Sequence, residues 1–461
     1  MPVAWPFAAL ILTVAVPLAI RGGYTATSRG MLVGLAALSV AGILIRDERS
    51  AGRFVREPAI LSLVALAALT ALSAAWTTGE ALDAVRWGLV IAAYAATALL
   101  AAQAAREQGF VAIAVAIAVI AVAEAAIGLV SAGLRVEPFA ERIGGSWRPG
   151  GTLEYPPALA LIQVGALPVL LRGMLSSRAA LGLVSAGCAA LTAGAIGLAD
   201  SRTQIVLALA VLVIAIVWAD RTVRDTRSRA ALAGLVLLGA GLATRLALGG
   251  YAFPGATGGD VRRLLTLAAV VAGSVVAWAL IRRLWGERPR ASPAVAGIGV
   301  RVAAVGAVVV LAVGALAGFV AAQRSDGPWT EPGSGFTHGR SDQWHAAIET
   351  ALDHPVAGVG AEAYLQASAA DQGNQVSRYA HDLPLEVWAE LGPAGLVLVV
   401  ALGCFVAMLL WRIRLHPDAW FVAPAAAAFL LANLVDWPWH LAGAGAMWAA
   451  ALGTCVAIDR G

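Results

Sequence analysis

Apolar runs long enough to cross a lipid bilayer recur from one end of this chain to the other. The stretch from Phe110 to Gly133 is one, and Glu124 is its sole ionisable residue. A helix rises about 1.5 Å per residue, so ~20 such residues span ~30 Å of hydrocarbon. The runs do not alternate polar with apolar residues, as the strands of a membrane barrel do. Of the 461 residues 60% are apolar and 13% charged, too few polar groups to clothe a soluble protein of this size. The expected fold class is therefore all-α, a polytopic membrane helix bundle of about 12–14 transmembrane helices.

The spans are expected near 3–20, 30–45, 58–75, 87–105, 110–133, 155–171, 179–199, 203–219, 230–248, 264–281, 302–321, 394–411, 418–435 and 440–457. Arginine placement sets their orientation. Basic connections occur at Arg46/Arg49/Arg53/Arg56, Arg221/Arg224/Arg227/Arg229, Arg282/Arg283/Arg288/Arg290 and Arg412/Arg414, all on one side by helix count. That side is expected to be the cytoplasm, with both termini there, in a multi-pass protein of the inner (plasma) membrane. No basic region precedes the first apolar run, which reads as a retained helix rather than a signal peptide. The outer side receives 134–154, the Asp200-Ser201-Arg202 turn, 249–263 and the segment 322–393. The organisation expected is an N-terminal bundle over 1–321, an extracytoplasmic loop over 322–393 and C-terminal helices over 394–461.

That loop is the one long polar stretch, and long loops with their own pattern are usually functional. Ser341 is placed to cap a short helix to about Leu352, with Trp344, Ile348, Ala351 and Leu352 on its apolar face and Trp344 at the headgroup level. A second helix is expected after His381, with Asp382 as N-cap and Pro384 in the first turn, breaking at Gly392-Pro393.

The chain has no lysine, so all 32 basic residues are arginines. It cannot build a P-loop, a Schiff base or a Ser-Lys dyad, which argues against ATP-driven work. Cys188, Cys404 and Cys455 lie in apolar runs without metal-type spacing. His338, His345, His354 and His381, four of the six histidines, fall in the loop but match no helical pair or HExxH pattern. No DxD-like pair appears. No metal or other cofactor is expected, and no nucleic-acid partner.

Three outer arginines, Arg202, Arg340 and Arg378, have the guanidinium fork that suits phosphate oxygens; the plainer reading of Arg202 is an interfacial residue paired with Asp200. His381 lies at a helix N-terminus, where the dipole favours the neutral ring while neighbouring Asp382 opposes it; a neutral imidazole suits a general base. Glu124 is an intramembrane carboxyl, either functional or hydrogen-bonded to a neighbouring helix.

Gly339-Arg340, Trp344, His354-Pro355-Val356-Ala357-Gly358-Val359-Gly360 and Tyr364 are followed by Ala380-His381-Asp382-Leu383-Pro384-Leu385-Glu386 and then Glu390-Leu391-Gly392 and Gly395-Leu396. This pattern resembles the bacterial O-antigen ligase and polymerase superfamily, and Gly151-Thr152-Leu153-Glu154-Tyr155-Pro156 and Ser201-Arg202 resemble two further family positions. The resemblance implies a metal-independent, inverting transfer from a glycan on undecaprenyl pyrophosphate. The acceptor it implies is a lipid A core, a growing polysaccharide or a protein hydroxyl, with membrane lipids around the site. By position His381 resembles the catalytic base, and Arg202 and Arg340 the pyrophosphate-binding arginines; Asp382, Arg378, Glu386 and Trp344 are supporting candidates. Asp382 departs from the asparagine common after the histidine. A lipid or solute transporter is the competing class, but it calls for several ionisable groups at mid-membrane. One sequence does not separate ligase from polymerase.

Overall fold

A computed structural model of the chain describes residues 5–143, 145–219, 226–248, 260–286, 340–373 and 376–460. The expected span 302–321, the segment 322–339 with His338 and Gly339, and Arg221, Arg224, Arg288 and Arg290 lie outside the described residues. Among the described residues nine helices are long and apolar enough to cross a membrane, with four shorter apolar helices beside them. The expected all-α polytopic bundle is what the chain forms. Contacts divide it into two compact units, residues 1–120, 152–154 and 337–461 in one, and 121–151 and 155–336 in the other.

The first unit holds α1 (Trp5–Ala19), α2 (Ala26–Val55), α3 (Pro58–Leu72), α4 (Ala81–Gln108) and the start of α5 (Phe110–Leu134). After the chain returns come α11 (Arg340–Asp353), α12 (Tyr364–Ser368), α13 (Leu383–Ile413), α14 (Ala423–Ala432) and α15 (Ala442–Arg460). Helix α4 is its axis and packs against α1, α2, α3 and α15. Lipid offers no hydrophobic drive for helices to associate, so close backbone approach through small residues takes its place. At Gly453 an added Cβ would stand 2.0 Å from the Ala98 carbonyl oxygen, and at Gly445 it would strike the Tyr94 ring. Buried Glu57 joins three helix ends by accepting from Arg412 at 2.8 Å and Arg460 at 2.7 Å.

Two expectations about the loop helices meet different outcomes. The break at Gly392-Pro393 is present: α13 runs through it, but Gly392 takes φ 64°, ψ −164°, a conformation reserved for glycine. The apolar face expected on the bilayer surface is only in part the face that the first helix packs into the protein. Helix α11 buries Gln343, Ala346, Ala347, Thr350 and Ala351, leaves Trp344 and Ile348 half-buried and exposes Leu352. The small side chains win because Ala347 and Ala351 pack closely against Tyr364, Ala380 and Ala389. The helix begins at Arg340, so Ser341 lies inside its first turn.

The second unit holds the rest of α5, the hairpin β1 (Ala140–Ile143) and β2 (Ser146–Pro149), and α6 (Pro156–Met174), α7 (Ala179–Ala199), α8 (Arg202–Ala219), α9 (Thr226–Leu248) and α10 (Asp260–Gly286). Gln163 donates to the Ala121 carbonyl at 2.7 Å and accepts from Thr192 at 3.2 Å, so its buried amide is satisfied between three helical segments. Glu124 is buried beside Gly151, where a Cβ would meet its carboxylate at 2.7 Å.

Candidate active site around His381

The site is built on the first turn of α13. Asp382 caps it, accepting the Leu385 N–H at 2.9 Å, as its place before Leu383-Pro384 leads one to expect. Ahead of the cap, His381 is held at φ 55°, strained for an L-residue and stable only where the surroundings over-determine it. They do so from several sides. The Ala380 N–H donates to Glu386 at 2.8 Å, the Leu383 N–H to the Asn433 carbonyl at 2.8 Å, and His381 Nδ1 stands 3.1 Å from the Tyr379 carbonyl. A carbonyl only accepts, so Nδ1 carries the proton and Nε2 keeps its lone pair.

The His381 ring is half-buried, and its pKa is lowered. Burial is the main cause; Arg340 adds to it, and Asp436 opposes. The main opposing anion is thus Asp436, the fourth residue after α14, with Glu386 behind it, rather than the neighbouring Asp382 expected from sequence. The Asp382 carboxylate is committed to the cap, and burial raises its own pKa. Arg340 donates to the Val435 carbonyl next to Asp436. The structure therefore gathers His381, Arg340 and Asp436 in one place.

Glu386, a supporting candidate, lies one turn into α13 and connects two parts of the site. One oxygen receives the Ala380 N–H and the other stands 2.5 Å from His440 Nε2. His440 stacks on Tyr379 at 3.8 Å and on Trp87 at 4.8 Å between ring centres. Its Nδ1 faces Glu362 at 3.5 Å, an ion-pair distance without hydrogen-bond geometry. Burial works against a charged imidazole, but Glu386 and Glu362 outweigh it and His440 is raised to about 9. Burial likewise opposes the Glu362 carboxylate, yet His440, Arg29 and Arg378 together bring it down to about 2. Arg378, expected among the phosphate contacts, spends a donor on Glu362 at 2.8 Å. Trp344 is half-buried on α11, with its ring nitrogen buried.

Arg202 belongs to the second unit, exposed at the first position of α8. The plainer reading paired it with Asp200. Asp200 instead receives Arg148 at 3.2 Å and Arg245 at 2.5 Å. Of the loop histidines, His345 pairs with Glu349 at 3.1 Å and His354 is exposed, while His338 lies outside the described residues. Sequence reasoning passed over Glu362, Asp436 and His440. The signal for the last two was Asp436-Trp437-Pro438-Trp439-His440, two ionisable groups among aromatics between apolar runs.

The two halves of the loop pattern are one structure. Val359 N–H donates to the Ala389 carbonyl at 3.0 Å and Gly360 N–H to the Glu390 carbonyl at 2.7 Å. The Gly358-Val359-Gly360 turn thus docks on the backbone of Ala389-Glu390-Leu391-Gly392, just before the break in α13. Residues 261–400 match the O-antigen ligase family. Over that stretch, which is less than half of the chain, the protein is similar to the O-antigen ligases. No curated protein matches it closely enough to add a substrate. The partial family match and the apolar helices together support a multi-pass membrane protein of O-antigen-ligase type, acting in glycan transfer.

Proposed function

We propose that the chain transfers a glycan from undecaprenyl pyrophosphate to an acceptor hydroxyl on the outer face of the cytoplasmic membrane, with His381 as the general base. The observation that carries this reading is the His381 ring: Nδ1 is committed to the Tyr379 carbonyl, Nε2 is left basic, and burial keeps the ring neutral near pH 7. Nε2 takes the acceptor proton as the hydroxyl oxygen attacks the anomeric carbon. The bond from that carbon to the diphosphate breaks on the opposite face, which inverts the configuration. The departing diphosphate carries the electron pair, and fixed cations stabilise such charge best. Arg340, beside the base, and Arg202 are the proposed contacts. The acceptor is a lipid A core or another glycan; a polymerase differs only in that acceptor. No step requires a metal.

The test is turnover of lipid-linked glycan by the purified protein with donor saturating. His381→Gln keeps a hydrogen-bonding side chain but cannot take a proton, and turnover is expected to fall ~10²–10⁴-fold, the usual contribution of a positioned base. Arg340→Lys keeps the charge and loses the fork, with an expected loss of at least ~10-fold. A fully active His381→Gln protein refutes the assignment of the base.

A further inference from the structure

We propose that His440 is a positioning residue for His381, acting through Glu386 and Tyr379 to hold the left-handed turn that presents the His381 ring. The inference rests on the reading of His381 as the base. His440 lies beyond the stretch matched by the family, in the turn between α14 and α15.

His440 reaches the turn by two routes. The first is the Glu386 carboxylate, which links His440 Nε2 at 2.5 Å to the Ala380 N–H at 2.8 Å, the peptide just before His381. The second is the Tyr379 ring, stacked on His440 at 3.8 Å, whose residue carbonyl holds His381 Nδ1 at 3.1 Å. His440 itself has little freedom. Its side chain is 4% exposed, Trp87 also stacks on it, and its carbonyl accepts from Arg29 at 3.3 Å. The segment that carries it also grips the far side of the turn, since the Asn433 carbonyl accepts the Leu383 N–H while its side chain accepts the Trp439 N–H at 2.8 Å.

The logic is one of satisfied buried charge. The Glu386 side chain is only 4% exposed, so both of its oxygens need a partner within the protein. Without His440 one oxygen loses its partner, and the carboxyl must rotate to find another. That change weakens its hold on Ala380 and lets the strained His381 backbone relax. The charged and titratable groups around His440 are Glu386 and Glu390 from α13, Glu362 from the loop before α12, Arg29 from α2 and Tyr379 from the turn.

The test uses the full chain in lipid nanodiscs with ¹⁵N-labelled histidine, the His381 signals being assigned by their loss in His381→Gln. In His440→Gln, His381 is expected to lose its single Nδ1–H tautomer and to titrate at a shifted midpoint. Turnover per folded molecule is expected to fall roughly 10–100-fold with little change in donor KM, as misplacement by about 1 Å does. A merely structural role would lower the melting temperature and leave both the His381 titration and the per-molecule turnover at wild-type values; that result overturns the proposal. If His381→Gln proves fully active, the base assignment fails, while the His381 tautomer in His440→Gln still decides the positioning. If His440→Gln does not fold, the wild-type titration decides. His440 should be doubly protonated at pH 7 and move the His381 signals as it titrates near its raised value of about 9. A neutral His440 at pH 7, or a His440 titration to which His381 is blind, rejects the coupling.

Discussion

At the scale of the residue, the charge on His381 is set by neighbours distant in sequence. Burial and Arg340 favour the neutral ring; Asp436, and behind it the Tyr379 carbonyl and Glu386, favour the charged one. Activity that needs a neutral base rises with pH through a limb placed below the ordinary histidine value of about 6.5. Removing an anion lowers the pKa further, so Asp436→Asn is expected to move that limb to lower pH. Asp382→Asn is expected to leave it in place, because that carboxylate serves the Leu385 N–H and asparagine caps a helix as well. The measurement is a pH–rate profile for the three proteins with donor saturating. A limb that moves in Asp382→Asn and stays in Asp436→Asn would return the adjacent carboxylate to the role that sequence proximity suggests.

At the scale of the element, the site depends on how the loop meets the break in α13. Gly360 adopts φ 90°, and a Cβ there would come within 2.3 Å of Thr77; at Gly358, φ 67°, it would come within 2.4 Å of the Glu390 backbone. Backbone neighbours cannot yield as side chains do. Gly360→Ala is expected to cost at least ~1–3 kcal/mol from the left-handed backbone alone, with the clash added to it. Gly34, within α2 and open around its Cβ position, is the control: Gly34→Ala is expected to be neutral or to stabilise by about 0.5–1 kcal/mol. Thermal unfolding in detergent checks both, and equal melting points would show that the turn does not hold the loop. What the sequence disclosed follows the same division by range. The helices, the Asp382 cap and the Gly392 break were legible because each is written in consecutive residues. The face of α11 that packs into the protein was not legible, because hydrophobicity singles out Trp344 and Leu352 whereas packing against Tyr364 and Ala389 selects alanine. The partners of His381 were illegible because Arg340, Glu386, Asp436 and His440 meet only through tertiary packing.

At the scale of the molecule, the proposed chemistry requires His381 and the helix end at Arg412 to lie on opposite sides of the membrane. Beyond its break at Gly392, helix α13 continues unbroken to Ile413, roughly 30 Å at 1.5 Å per residue and long enough for the hydrocarbon. Its two ends are therefore expected on opposite faces, and the arginines choose which. Arg412 and Arg460 are tied to Glu57 at the C-terminal ends of α13 and α15, and Arg414 lies over Trp411 at 3.9 Å, so cations gather at the end remote from His381. By the positive-inside tendency that end is expected in the cytoplasm. Ala370, before α13, and Pro417, after it, are both exposed. With Cys188, Cys404 and Cys455 replaced by alanine, Ala370→Cys is expected to react with an impermeant maleimide in intact spheroplasts. Pro417→Cys is expected to react only after the membrane is opened. Labelling of both in intact cells would mean that α13 does not cross. The reverse pattern would carry the heavier consequence: it would put His381 on the cytoplasmic side, where nucleotide sugars are available and a lipid-linked donor is no longer the one activated glycan within reach.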